Sequence, residues 1–172
     1  MGPSFAKNGL VMSLDLYIVS PEPVVKRGTG VYVREYGQNV ELKTLSEVRA
    51  HFPNADLSRI REYEYTDNDY WHGNITHNMC EMARHVPIEG TEMSLYDLLW
   101  HPEHFGFTKA GSVGYRSGVL KGYIHLKNHQ EELISFNPDN KWGNYEQLLR
   151  FTEGFLIHLI KAEDVFSVEA YA

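Results

Sequence analysis

One cysteine in 172 residues, Cys80, excludes an internal disulfide and reads most simply as a small core residue beside Met79. No run of about 18 apolar residues occurs, so no segment reaches the length of a membrane-spanning helix. Met1 to Val11 also lacks the apolar stretch of a signal peptide, and a cytoplasmic protein is expected. Basic charge is scarce: 16 Lys and Arg stand against 23 Asp and Glu, a formal net charge of −7. That balance opposes duplex nucleic acid as a partner, because binding phosphate needs clustered cations that release counterions. The acidic residues are scattered and form no block, so mimicry of nucleic acid has no support. Internal repeats, low-complexity tracts, a nucleophile elbow, a phosphate loop and the zinc-protease helix motif are all missing, and no cofactor is expected.

What is present suffices for one ordinary core. With 42% hydrophobic and 13% aromatic residues, the length argues for a single domain over residues 12–172, with residues 1–11 as a leader or loose arm.

The chain is organised around Tyr70 to Ala83, where a polar, aromatic loop turns into an amphipathic segment. Asn74 is the expected N-cap, its side chain accepting from the amide of Thr76 or His77, with the helix beginning near Ile75. Ile75, Met79, Met82 and Val86 then fall on one apolar stripe. His77, Glu81 and His85 recur every four residues on another face, where they make either a divalent-metal site or, as the blander reading, a surface charge pair worth about 0.2 to 0.5 kcal/mol. The helix start is a further candidate, since free amides and the positive end of the helix dipole favour an anion. Thr76, His77 and Asn78 add donors there, and Tyr70, Trp71 and His72 stand beside it.

Leu14, Leu16 and Ile18 alternate with polar positions as in a half-buried strand, which Pro21 and Pro23 are expected to end. Gly28-Thr29-Gly30 opens a hairpin, Val31 to Glu35 returning through Gly37-Gln38-Asn39 as Val40 to Lys43. Thr44 and Glu47 fit a capping box, giving a short helix from Leu45 to His51. Ile60 to Tyr65 alternates as another strand, and Thr66 to Asp69 reads as a plain turn, since it lacks the glycine and terminal glutamate of a calcium loop. Ser94 starts a brief helix ending at Trp100. Glu103 to Ser117 is glycine-rich without a helical period and is expected to be a mobile flap, with His101 and His104 at its start. Leu120 to Ile134 is helical with a break near Asn128-His129, and Asn137 to Asn140 is a turn. Asn144 caps the clearest helix, whose broad apolar face carries Leu148, Leu149, Thr152, Phe155, Leu156, Leu159 and Ile160. Val165 to Tyr171 closes the chain as a strand beside the first one. The pattern predicts an α+β fold: a mostly antiparallel sheet of about five strands, covered on one face by three to four helices.

Leu14-Asp15-Leu16-Tyr17, Gly28-Thr29-Gly30-Val31, Asn74-Ile75-Thr76-His77-Asn78 with Met82-Ala83, Leu99-Trp100 with Pro102, and Asn137-Pro138 with Trp142-Gly143 and Tyr145 together resemble an uncharacterised family of bacteriophage and bacterial proteins. The likeness runs over most of Met12 to Tyr171, and Asn-Ile-Thr-His-Asn is its most specific piece. It implies a phage-type accessory protein and no particular chemistry. At His101 the chain departs from the arginine of that pattern.

The leading expectation is a non-enzymatic protein that binds a small phosphorylated or nucleotide-like ligand, or a host protein, to counter a defence system. Its candidate binding residues are Trp71, His72, Asn74, Thr76, His77, Asn78, Trp142, Asn144 and Tyr145, grouped at two polar, aromatic helix starts. One alternative is a small hydrolase or lyase with His72 or His77 as general base, with or without metal. Another is a virion structural or interaction protein, and a homo-oligomer stays open.

Overall fold

The computed structural model describes residues 13–105, 110 and 112–172, so the expected leader over residues 1–11 lies outside the described residues. The architecture is α+β: a three-stranded antiparallel sheet packed against helices, and a separate two-stranded hairpin. The expected single sheet of about five strands is therefore divided in two.

The central strand β1 spans Ser13–Gly28. Leu14, Leu16 and Ile18 are wholly buried while Asp15, Tyr17 and Val19 face the other way, as a period of two requires. Pro21 and Pro23 do not end the strand. Its pairing with the next sheet strand shifts register between Val19 and Val24, so both prolines sit in a bulge outside the ladder, where their missing amide hydrogen costs no pairing. Asn68 Nδ2 donates to Ser20 O (2.9 Å) across that bulge.

After β1 comes the hairpin of β2 (Tyr32–Glu35) and β3 (Gln38–Glu41). Its two-residue turn is Tyr36-Gly37, one residue earlier than the sequence suggests, with φ of 49° and 80°. Both angles are left-handed, as the tight turn matching strand twist demands. Helix α1 (Leu45–His51) has the expected boundaries, with the Thr44 side chain accepting from Glu47 N.

Strand β4 spans Tyr63–Thr76 and pairs antiparallel with β1 along its length. It corrects three expectations. It begins later than Ile60, it absorbs the supposed turn Thr66 to Asp69, and it runs through the polar, aromatic loop to Thr76. Asn74 is thus a strand residue and caps no helix. Thr76 caps the chain instead, its side chain accepting from Asn78 N, and a 3-10 turn (His77–Met79) leads into α2 (Cys80–Arg84). Tertiary pairing with Asp15 and Leu14 overrides the local capping preference of asparagine.

Helix α3 (Leu95–Trp100) carries a capping box from Ser94 to Asp97, and a 3-10 turn follows over Pro102–Phe105. Part of the expected flap lies outside the described residues, but its end is ordered: α4 spans Val113–Asn128, so Val113 to Ser117 is helical. The predicted break falls at His129, before α5 (Gln130–Ile134). Helix α6 (Tyr145–Lys161) is capped by Asn144, whose side chain accepts from Gln147 N (2.9 Å). Strand β5 (Ser167–Tyr171) then pairs antiparallel with β1, giving the order β4-β1-β5.

Leu14, Leu16 and Ile18 meet Met79, Met82, Val86, Leu98, Leu99, Tyr115, Leu148, Phe155 and Leu159 in one continuous core. The expected stripe of Ile75, Met79, Met82 and Val86 is buried throughout, though Ile75 joins it from β4. Ile160 departs from the expected face of α6 and is 59% exposed, while Phe151 is buried in that core. Gly73 is required by close approach: a Cβ there would lie 2.3 Å from Trp71 Cη2 and 2.9 Å from Phe151 Cε1. That approach brings α6 against β4 and leaves a pocket at their shared end.

Candidate functional site

The β2–β3 hairpin lies along β4, the edge strand of the three-stranded sheet. Gln38, beside the hairpin turn, acts as a substitute strand for Asn74. Its Oε1 accepts from Asn74 N (2.8 Å) and its Nε2 donates to Asn74 O, so both backbone groups of one edge residue are satisfied by one carboxamide. The Asn74 side chain reaches across to β1 on the half-exposed sheet face and donates to Asp15 Oδ1 (2.9 Å) and Leu14 O (3.3 Å).

Between the hairpin tip, the end of β4 and the turn before α6 lies a pocket of about 400 Å³, within the range of small-molecule sites. Asn74 and Thr76 reach it from β4, Arg34, Tyr36 and Gln38 from the hairpin, and Lys141, Trp142 and Gln147 from the start of α6. Arg34 and Lys141 supply positive charge, and no Asp or Glu lines the pocket among the described residues. Arg34 Nη1 donates to Asn39 Oδ1 (3.0 Å), and neither cation forms a salt bridge among the described residues. Two aromatic residues stand open at the rim, Tyr36 at 53% and Trp142 at 61% exposure. Asn78 Nδ2 holds the Trp142 carbonyl at 3.3 Å.

The sequence-derived residues thus divide. Asn74, Thr76 and Trp142 line this pocket, with Asn78 behind it, although Asn74 reaches it from a strand and not from a helix start. Asn144 is the cap of α6, while Tyr145 is buried in the core and donates to Leu126 O. Trp71 packs against Phe151, Phe155 and His158. With His72 it borders a second, larger groove of about 800 Å³ between the hairpin and α6. Arg34, Tyr36, Gln38, Lys141 and Gln147 escaped sequence reasoning, because only the docking of the hairpin on β4 brings them to Asn74. The available signal was Tyr36-Gly37 as a turn, which would have pointed its neighbours at one spot.

The candidate bases also separate. His72 lies on the half-exposed sheet face, its Nε2 2.8 Å from Asp15 Oδ1 and its ring stacked on Tyr17 at 4.4 Å. The hydrogen bond with His72 holds the Asp15 carboxyl below the usual carboxylate range, against the opposing effect of burial, and the Asn74 amide helps. His77 instead faces Cys80, with Nδ1 3.3 Å from Sγ. Burial lowers the His77 pKa, with the Arg84 charge adding to it, and burial pushes the Cys80 thiol up to about 11. A thiol held protonated is no nucleophile at neutral pH.

The proposed ligand set of His77, Glu81 and His85 does not assemble. His77 is turned to Cys80, and His85 Nδ1 donates to Glu81 O (2.9 Å) while the ring stacks on Phe136 at 3.9 Å. His85 and Glu81 keep only a 3.8 Å surface contact, the blander of the two readings.

No helix among the described residues is long and apolar enough to cross a membrane. The chain matches no protein-family model, and no curated protein and no solved structure is significantly similar to it.

Proposed function

We propose that this protein binds a small anionic ligand carrying a flat ring, a nucleotide or a similar phosphorylated molecule, in the pocket between the hairpin tip and the start of α6. The observation that carries this reading is the lining itself. On a chain of net charge −7, two cations and no carboxylate converge on about 400 Å³. Like charges placed together cost free energy unless an anion offsets them, and exposed tryptophan and tyrosine rings beside them suit a stacked base. The side-chain amide of Gln147 lines the pocket and offers hydrogen bonds that orient a polar ring. In a phage-type setting, such capture would withdraw a signalling molecule from the host cytoplasm and so blunt a defence.

A second reading, catalysis by His72, is favoured by one observation: Asp15 orients the imidazole at 2.8 Å, as a base is oriented by a carboxylate. One experiment separates the two. The purified protein is incubated with a nucleotide extract, re-isolated, heated, and the released molecules are identified by mass spectrometry. Capture predicts an intact nucleotide-like ligand, and catalysis predicts an altered one. Release of nothing beyond a bovine albumin control contradicts both.

A further inference from the structure

We propose that His101, Glu103 and His104 form a binding site for a divalent transition metal, with zinc the best match. The site is separate from the pocket and arises where α3 ends. His101 is the C-cap of α3, and Pro102 opens the 3-10 turn that follows. A 3-10 turn has about three residues per turn, so side chains three apart eclipse. His104 N donates to His101 O at 2.9 Å, closing that turn, and the two imidazoles stack at 4.7 Å with planes 8° apart.

Glu103 completes the set between them. Its Oε2 lies 3.1 Å from His101 Nδ1 and 3.7 Å from His104 Nε2, and the three ligand atoms all fall within 4.8 Å of one another. In tetrahedral zinc, bonds of about 2.0 to 2.2 Å separate the ligand atoms by roughly 3.3 Å. Small side-chain rotations close the remaining gap. Two neutral imidazoles and one carboxylate are ordinary zinc ligands and leave a fourth position for water or another group.

A supporting shell singles this cluster out from other surface histidines. His101 Nε2 lies 3.2 Å from Tyr96 Oη. When Nδ1 faces a metal, Nε2 carries the proton and donates to that hydroxyl, which fixes the tautomer and the ring direction. Tyr96 is itself held, stacked on Trp100 at 5.4 Å and under the Arg84 guanidinium at 4.1 Å. The other close pair, His125 and His129, stack at 3.8 Å on α4 and its cap with no such carboxylate grouped beside them among the described residues.

The test is equilibrium dialysis of the full chain against zinc chloride, with metal content read by mass spectrometry, repeated with cobalt(II) and its visible absorption. The proposal predicts about one equivalent of zinc and an intense tetrahedral cobalt spectrum. His104→Ala and Glu103→Gln should each weaken zinc binding by at least about tenfold, and Tyr96→Phe by about tenfold, as loss of an orienting partner does. His125→Ala should bind as the parent does. The replaced groups are partly exposed, with side-chain exposures of 57% for Glu103 and 61% for His104, so melting temperatures without metal should stay unchanged. Binding of less than one equivalent, binding kept in both His104→Ala and Glu103→Gln, or binding lost in His125→Ala would each overturn it.

Discussion

At Cys80 two residue-level facts act together: the side chain is buried, and burial raises the thiol from its ordinary 9.0 to about 11. At pH 8 that leaves roughly a hundredfold less thiolate than a free cysteine has, since each pKa unit is about tenfold. Alkylation by iodoacetamide at pH 8 should therefore run at least about a hundredfold slower than in the unfolded chain. A rate near that of free cysteine would mean that Cys80 is accessible and that His77 activates it. Asp15 titrates the other way. Its folded pKa lies below its unfolded value, so ionised Asp15 stabilises the fold above about pH 3.9, and that contribution disappears as pH falls through the lower folded value. Its side chain is 37% exposed, which screens the interaction and keeps the effect modest. Urea unfolding of the parent and of Asp15→Asn should show the parent more stable at pH 6 and the gap closing toward pH 2. A gap independent of pH would assign Asp15 a purely steric role.

Among the elements, α6 offers the cleanest test, because Asn144 is exposed and its side chain accepts one amide at 2.9 Å. Asn144→Ala should cost about 0.5 to 2 kcal/mol, and Asn144→Asp should cost little, because aspartate caps as well and carries a charge that the helix dipole favours. Thermal denaturation reads both, and equal losses would show that the cap is not what fixes the helix start. Asn144 was legible in sequence because its cap is a local event, three residues across, followed by a clean 3.6 period. Asn74 was misread for the complementary reason. Its local neighbours suggest a cap, but its partners are Gln38, Leu14 and Asp15, the nearest of them 36 residues away. Likewise the prolines of β1 imply a strand end, and only pairing with β4 shows a bulge. Elements governed by their own periodicity were readable, and those governed by cross-strand partners were not.

For the whole molecule, the α+β class followed from the order of strands and helices, whereas the division into three strands and two did not. The hairpin's separation depends on Gln38 replacing a strand at the β4 edge, a single carboxamide that no pattern announces. The same docking creates the pocket, which is why Asn74, Thr76 and Trp142 were foreseeable as polar and aromatic candidates while Arg34 and Lys141 were not. Trp142, at 61% exposure, makes the pocket its own reporter, since its fluorescence should be quenched by a stacked base. The most direct test is therefore a fluorescence titration with a panel of mono-, di- and cyclic nucleotides, run on the parent, on Trp142→Leu and on the double variant Arg34→Gln, Lys141→Gln. The account predicts saturable quenching by at least one nucleotide in the parent, weakened at least about tenfold when both cations are neutralised, as loss of charge-assisted hydrogen bonds implies. It predicts no quenching in Trp142→Leu. Equal affinity in the parent and the double variant, or no saturable response across the panel, would contradict it.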